Sequence, residues 1–190
     1  TVITSMASYI LTRVTKSRLL SVYFSLGIMI PVHALLIPSV LIFKGLHLID
    51  HLSGLMIVYT AVNISFAMFI MNGFMEGIPR ELDEAATIDG CGRAGIFFHI
   101  VFPVAKPGIA TVATITFLNC WNDLLLGLVL ISTPARKTLS MTISALKGSY
   151  VTQYGLLCAG FVISIVPVVF MYLLFQKQVI AGMTAGAVKG

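Results

Sequence analysis

The chain has 190 residues, of which 58% are hydrophobic and 10% charged, with a formal net charge of +5. An ordinary soluble domain is about 45–50% apolar and about 25% charged. A soluble fold of this size would lack the polar surface to wrap so much apolar area, so the composition points to the bilayer as solvent. The twelve Lys and Arg are scattered through short gaps between apolar stretches, a pattern of membrane topology signals that argues against nucleic acid as a partner.

A membrane-crossing helix needs about 20 mostly apolar residues. In chain order, residues 1–12 read as the last part of a span, and 19–43, 52–75, 108–135 and 151–175 read as full-length spans. Among these full-length spans only 108–135 carries an acid, Asp123. The chain opens at Thr1 without an initiator Met and already inside an apolar stretch, so its start is expected to be truncated. Pro31, Pro38 and Pro167 fall inside spans. Central strands do not tolerate proline, whereas transmembrane helices do. A β-barrel would need strict alternation, which runs such as 165–175 lack. The expected fold class is therefore an all-α integral membrane bundle. Cys91, Cys120 and Cys158 are far apart, odd in number and form no metal or disulfide framework.

The basic residues set the orientation. Arg13, Lys16 and Arg18, then Arg80, Arg93 and Lys106, then Lys177 and Lys189 fall on one side of alternating spans. Lys44, Arg136, Lys137 and Lys147 fall on the other. The richer side is expected to be cytoplasmic, and with it the C-terminus.

One cytoplasmic gap stands out. Residues 76–107 form a long connection that holds Glu76, Glu81, Asp83, Glu84 and Asp89. Pro79 suits a helix start and the acids after it suit a helix N-terminus. Ala85 and Ala86 favour helix, Gly90 and Gly92 permit a break, and Arg93 to Ile100 can form a second helix with Ile96, Phe97 and Ile100 on its apolar face. The expected unit is a helix–turn–helix whose small Ala85–Ala86 face admits another backbone and whose Glu pairs with a base. An acidic loop is a poor partner for anionic lipid, so it reads as a docking knob for a protein.

At this point the sequence resembles a known family. Glu84-Ala85-Ala86, then Gly90, then Ile100 and Pro103 are similar to the EAA loop of importer permeases, with Phe102 where that pattern has Leu. The run PRELDEAATIDG, the following IVFPVAKPGIA, Trp121-Asn122-Asp123 and the C-terminal TAGAVKG resemble the sugar-importing branch, in particular the maltose-type second permease subunit. The resemblance covers the whole chain, residues 1–190. It implies the type I ABC importer bundle with a six-span core, of which the four full spans and part of a fifth are present and the first span is missing.

The resemblance also implies roles. The loop at 76–107 would be the coupling element that seats in a separate cytoplasmic ATPase, through Glu81, Glu84, Ala85, Ala86, Asp89, Gly90, Ile100 and Pro103. Trp121, Asn122 and Asp123 would lie on the translocation path. Partners would be a second homologous permease, two ATPase subunits, an extracytoplasmic sugar-binding protein and membrane lipid. ATP and magnesium would be bound by the ATPase, and this chain, which holds no Walker A sequence, would bind no cofactor and perform no catalysis. The location implied is the bacterial cytoplasmic membrane, crossed several times.

Other signals compete. Gly90 to Gly95 spell G-x-G-x-x-G, but no preceding strand supports a dinucleotide site. Asp123 invites a proton- or substrate-site reading, because carboxylates in spans are expensive. It reads equally well as a polar residue bonded to neighbours such as Asn119 or Asn122. Trp121 could stack on a sugar ring or serve as packing. His47, Asp50 and His51 could hold zinc, although a solvated turn is the plainer reading. A secondary transporter driven by Asp123 and a non-transporting scaffold are the alternatives. The first leaves the acidic loop without a role, and the second leaves Asp123 without one.

Overall fold

The computed structural model describes residues 1–146 and 153–187, with side chains described through Lys177. Lys147, Lys189 and the last three residues of the TAGAVKG tail lie outside the described residues. No strand occurs among the described residues, and the helices come in the order α1 (Val2–Tyr9), α2 (Arg18–Leu26), α3 (Leu36–Gly45), α4 (Leu52–Gly77), α5 (Glu81–Ile88), α6 (Arg93–Ile96), α7 (Phe102–Val104), α8 (Lys106–Asn122), α9 (Leu125–Leu130), α10 (Leu139–Ala145) and α11 (Tyr154–Ala187). Two π-helical turns, Ile10–Val14 and Phe97–Val101, extend α1 and join α6 to α7.

Two of the expected spans are single long helices. The 26-residue α4 and the Tyr154–Lys177 part of α11 are each long and apolar enough to cross a membrane. The other two differ from the straight spans expected. Residues 19–43 are not one helix: α2 and a Val32–Gly45 arm are separated by a break at Ile30–Pro31. Pro31 lacks an N–H and its ring disfavours the α conformation at Ile30, so the helix cannot run through. Pro38 does no such damage, because it falls in the first turn of α3, where N–H groups have no intrahelical partner. Residues 108–135 are interrupted as well: α8 ends at Asn122, and the short α9 follows an Asp123–Leu124 break. The apolar helix of α8 instead continues backwards, past a 75° bend, into Arg93–Val104. Counting each broken pair as one, up to four elements among the described residues are long and apolar enough to cross a membrane.

The chain divides into two compact units. The first comprises residues 1–29, 64–116 and 174–190. Its core joins Tyr9, the α4 stripe Ala67, Met71 and Met75, Ile78, Ala86, and Ile96, Phe97 and Val101 of the second arm. Met68, Met71 and Met75 are fully buried, where unbranched thioethers fill irregular space. Gly108 lets α8 approach α4, since a Cβ there would stand 2.4 Å from the Phe74 ring. The second unit comprises residues 30–63 and 117–173, with Phe43, Leu55, Val58, Leu126, Leu130, Ile131 and Met141 at its core. No residue of α11 from Tyr154 to Lys177 is buried, and its exposed Phe161, Val162, Ile163, Val166, Phe170 and Leu173 offer an apolar surface that suits lipid or a partner helix.

Candidate functional site

The expected helix–turn–helix is present in the first unit. α5 starts after Pro79, with Arg80 as its N-cap and Glu81, Asp83 and Glu84 in its first turn, where the helix dipole favours carboxylates. Pro79 thus sits just ahead of the helix rather than inside its first turn. The helix closes on Gly90, whose φ of +82° lies in the left-handed region that glycine enters at no steric cost. The Cys91 N–H donates to the Ala86 carbonyl at 2.9 Å and the Gly90 N–H to that of Thr87 at 3.0 Å, the paired bonds of a Schellman cap. The distance from Glu84-Ala85-Ala86 to Gly90 is therefore the distance from the middle of a two-turn helix to its C-cap.

The loop residues divide by face. Glu81, Glu84, Ala85 and Ile88, at helical spacing, make one exposed stripe. Ile88 is 86% exposed, an unusual position for a large apolar residue on a polar loop. Ala86, expected to belong to a small open face with Ala85, is only 4% exposed and packs into the core of its own unit. The reason is its neighbourhood: the turn at Gly90 folds the second arm back, and Ile96, Phe97 and Val101 share a core with Ala86. Asp89, Gly90 and Pro103 are exposed, while Ile100 is half-buried against the core. Glu84 makes no ion pair among the described residues. Asp83, expected only to suit the start of the helix, pairs with Arg13 at 2.6 Å. Arg13 in turn is buried rather than lying in an open gap.

The second unit places Trp121, Asn122 and Asp123 at the break after α8. Asp123 does not bond Asn119 or Asn122. Its Oδ2 accepts from the Tyr59 hydroxyl at 2.8 Å and the Gly127 N–H at 3.0 Å, and its Oδ1 from the Leu126 N–H at 3.4 Å. The carboxylate therefore covers the free N–H groups of α9 and fixes the break to α4. Asn119 donates to Asn63 Oδ1 at 3.0 Å, and Asn63 donates to the Tyr59 carbonyl at 2.8 Å. Trp121 is committed to packing: its indole N–H donates to the Ser164 carbonyl at 3.1 Å and its ring stacks on Phe117 with centroids 5.5 Å apart. Asn119 and Asn122 are exposed. Tyr59 and Asn63 escaped the sequence reading because they lie on another helix, far away in the chain.

The histidine turn holds a different structure from a zinc site. Among the described residues no group of three His, Cys, Asp or Glu stands in ligand geometry. His47 and Asp50 have φ of 56° and 58°. The Asp50 carboxylate takes the Ser132 and Thr133 N–H groups at 2.9 and 2.8 Å, the Thr133 hydroxyl at 2.5 Å and Arg136 at 3.3 Å. These bonds, led by the Thr133 hydroxyl, hold its carboxyl down at about 2.

Comparison with known proteins settles the family. The family described as the binding-protein-dependent transport system inner membrane component matches residues 2–184. The chain belongs to that family. It is 34% identical over 191 residues to the sulfoquinovosyl glycerol transport system permease protein SmoH of Agrobacterium fabrum, covering 99% of this chain and 67% of that one. It is 35% identical over 162 residues to the arabinooligosaccharides transport system permease protein AraQ of Bacillus subtilis, covering 85% of this chain and 57% of the relative. Its fold is similar to the crystal structure of a bacterial ABC transporter involved in the import of the acidic polysaccharide alginate. The TM-score is 0.69 at 25% identity, over 92% of this chain and 69% of that chain. The all-α membrane bundle of the type I importer is thus the fold of this permease.

Proposed function

We propose that this permease imports a carbohydrate, a disaccharide or oligosaccharide, as one membrane subunit of an ATP-driven transporter. The residue pattern of the loop and the sugar-transport names of its relatives support the substrate class. Its partners are a second homologous permease, two ATPase subunits that bind ATP and magnesium, and an extracytoplasmic sugar-binding protein. The loop side and the C-terminus face the cytoplasm of a bacterium. α5 docks in the ATPase, and the two permeases rock about a central path.

The single observation that carries this reading is the exposed stripe on α5. Glu81, Glu84, Ala85 and Ile88 stand out on the side of α5 away from Asp83 and Ala86, which anchor it, and an exposed isoleucine flanked by carboxylates needs a protein partner of mixed apolar and basic chemistry. Asp89 and Gly90 set the end of that stripe, and Ile100 and Pro103 hold the second arm behind it. Asn122 beside Asn119 gives the path exposed amides able to bond sugar hydroxyls. Asp123 acts there by holding the helix break, and Trp121 by packing beneath it. A proton-coupled carrier is less well supported, because both Asp123 oxygens are already engaged.

The test is to purify the full-length protein from its native membranes in mild detergent and identify what accompanies it. An ATPase and a second permease should co-purify with the wild type, and the ATPase should be lost from Glu84→Lys and from Gly90→Pro while both variants still insert. A chain that purifies alone, or an ATPase retained by both variants, sinks the docking assignment.

A further inference from the structure

The connection between α4 and α5 is short and weakly held by its own backbone. α4 ends at Gly77, α5 begins at Glu81, and Pro79 between them has no N–H to donate. A docked helix on such a joint could swivel without moving the span behind it. What fixes the joint comes from the other end of the unit. Arg13, in the π-turn that extends α1, donates from Nε and Nη2 to the Met75 carbonyl at 3.1 and 2.9 Å, from Nη2 to the Ile78 carbonyl, and from Nη1 to Asp83 Oδ2 at 2.6 Å. All three guanidinium nitrogens are used, and the side chain is 5% exposed. The charges suit the place. A cation lies at the C-terminal carbonyls of α4 and an anion in the first turn of α5, each at the favoured end of its helix dipole.

The same stretch also grips the second arm of the loop. Tyr9 packs against Phe97 with centroids 5.3 Å apart, and its hydroxyl donates to the Arg93 carbonyl at 3.4 Å. None of these contacts uses the exposed stripe, since Asp83 faces inward from the opposite side of α5. Asp83 Oδ1 is buried and has no hydrogen-bond partner among the described residues. A carboxylate with one oxygen in reserve can change which oxygen it offers as α5 turns, so the pair survives a movement that would break a fully engaged one.

We propose that Arg13 and Asp83 are the positioning residues that convert movement of α5 into movement of α4 and α1, while taking no part in holding the ATPase. The inference rests on the reading of α5 as the docking helix. It assigns the transmission of the stroke to a three-way joint of α1, α4 and α5 rather than to the loop backbone.

The test uses the full assembled transporter in proteoliposomes, with Cys91 and Cys158, and any cysteine outside residues 1–190, replaced by serine so that labelling reads Cys120 of α8. The rate of Cys120 labelling by a maleimide is compared without nucleotide and after trapping with ATP and vanadate, and the ATPase bound per permease is measured in parallel. Asp83→Asn should keep its bound ATPase, while the nucleotide-dependent change in labelling falls about tenfold, within the range of coupling between sites. Arg13→Lys, which keeps the charge but loses the fork, should fall similarly, and Asp83→Glu should recover part of the response. A response in Asp83→Asn equal to the parent's, including none in either, overturns the inference. So does loss of the ATPase from Asp83→Asn, which would make that residue part of the dock. An ATPase that stays bound to Glu84→Lys and Gly90→Pro sinks the docking reading itself. Loss from those two alone, with an unaltered response in Asp83→Asn, sinks only the present inference.

Discussion

Each unit contains an Arg–Asp pair that ties together segments far apart in the chain, and the two pairs differ in what surrounds them. Arg13 and Asp83 in the first unit have side chains 5% and 22% exposed, and the guanidinium spends its other donors on helix-end carbonyls. Arg136 and Asp50 in the second unit are 43% and 27% exposed, and there the carboxylate rather than the arginine is the hub. In the buried pair the guanidinium has almost no water to fall back on, so its charge depends on Asp83 and the helix-end carbonyls. In the exposed pair solvent and salt can replace the arginine, and the fixed donors Ser132 and Thr133 do most of the holding. An ion pair recorded only as a distance would make these two look alike; burial and the identity of the hub separate them.

The comparison can be broken first at Arg13. Arg13→Met should leave Asp83 uncompensated and the α4 carbonyls unpaired, and lower stability by about 3–5 kcal/mol, the usual cost of removing one partner of a buried pair. Chemical unfolding of the purified protein in detergent measures this, and a loss below about 1 kcal/mol would place the pair with exposed ones. A smaller effect is expected at the polar break of the second unit. Tyr59→Phe removes the hydroxyl donor to Asp123 while both backbone donors remain, so a loss of about 1–2 kcal/mol is expected in the same assay. No change would mean that the backbone N–H groups alone hold the carboxylate.

The smallest effect is expected at Asp50 and fades in acid. Its carboxyl lies at about 2 in the folded chain against an ordinary 3.8. A depressed value means that its stabilisation is complete above the unfolded value and is lost as pH falls from 3.8 towards 2. Asp50→Asn should therefore lower stability at neutral pH and converge with the wild type as pH falls from about 4 to about 2, flattening the acid profile. Identical acid profiles for the variant and the wild type would show that the Asp50 bonds do not persist in solution.

Much of the loop was legible because its signals are local. The acids after Pro79, the helix-forming alanines and Gly90 lie within a few residues of the features they produce, so helix, start and cap could be read from the sequence. The side facing outward could not. Ala85 and Ala86 are adjacent and chemically identical, yet one is exposed and the other buried, and only the fold-back of Ile96, Phe97 and Val101 decides which. Nothing local to Ile88 marks it as exposed; only its surroundings do. Asp123 showed the same limit. Its expense in a span marked it, but its true partner Tyr59 lies 64 residues away, whereas the expected Asn119 turned to Asn63 instead.

By itself, then, the sequence determined the solvent, the helical class and the family, because apolar run length, proline tolerance and short-range motifs are properties of neighbouring residues. It also marked the loop as a place of contact. Tertiary structure alone decided that two of the apparent spans are broken, that Arg13 meets Asp83 of α5, and that the histidine turn is closed by Asp50 through Ser132, Thr133 and Arg136. The physical reason is common to all three. A side chain's partner is set by which helices fold against one another, and the chemical type of a residue limits the choice of partner without naming it.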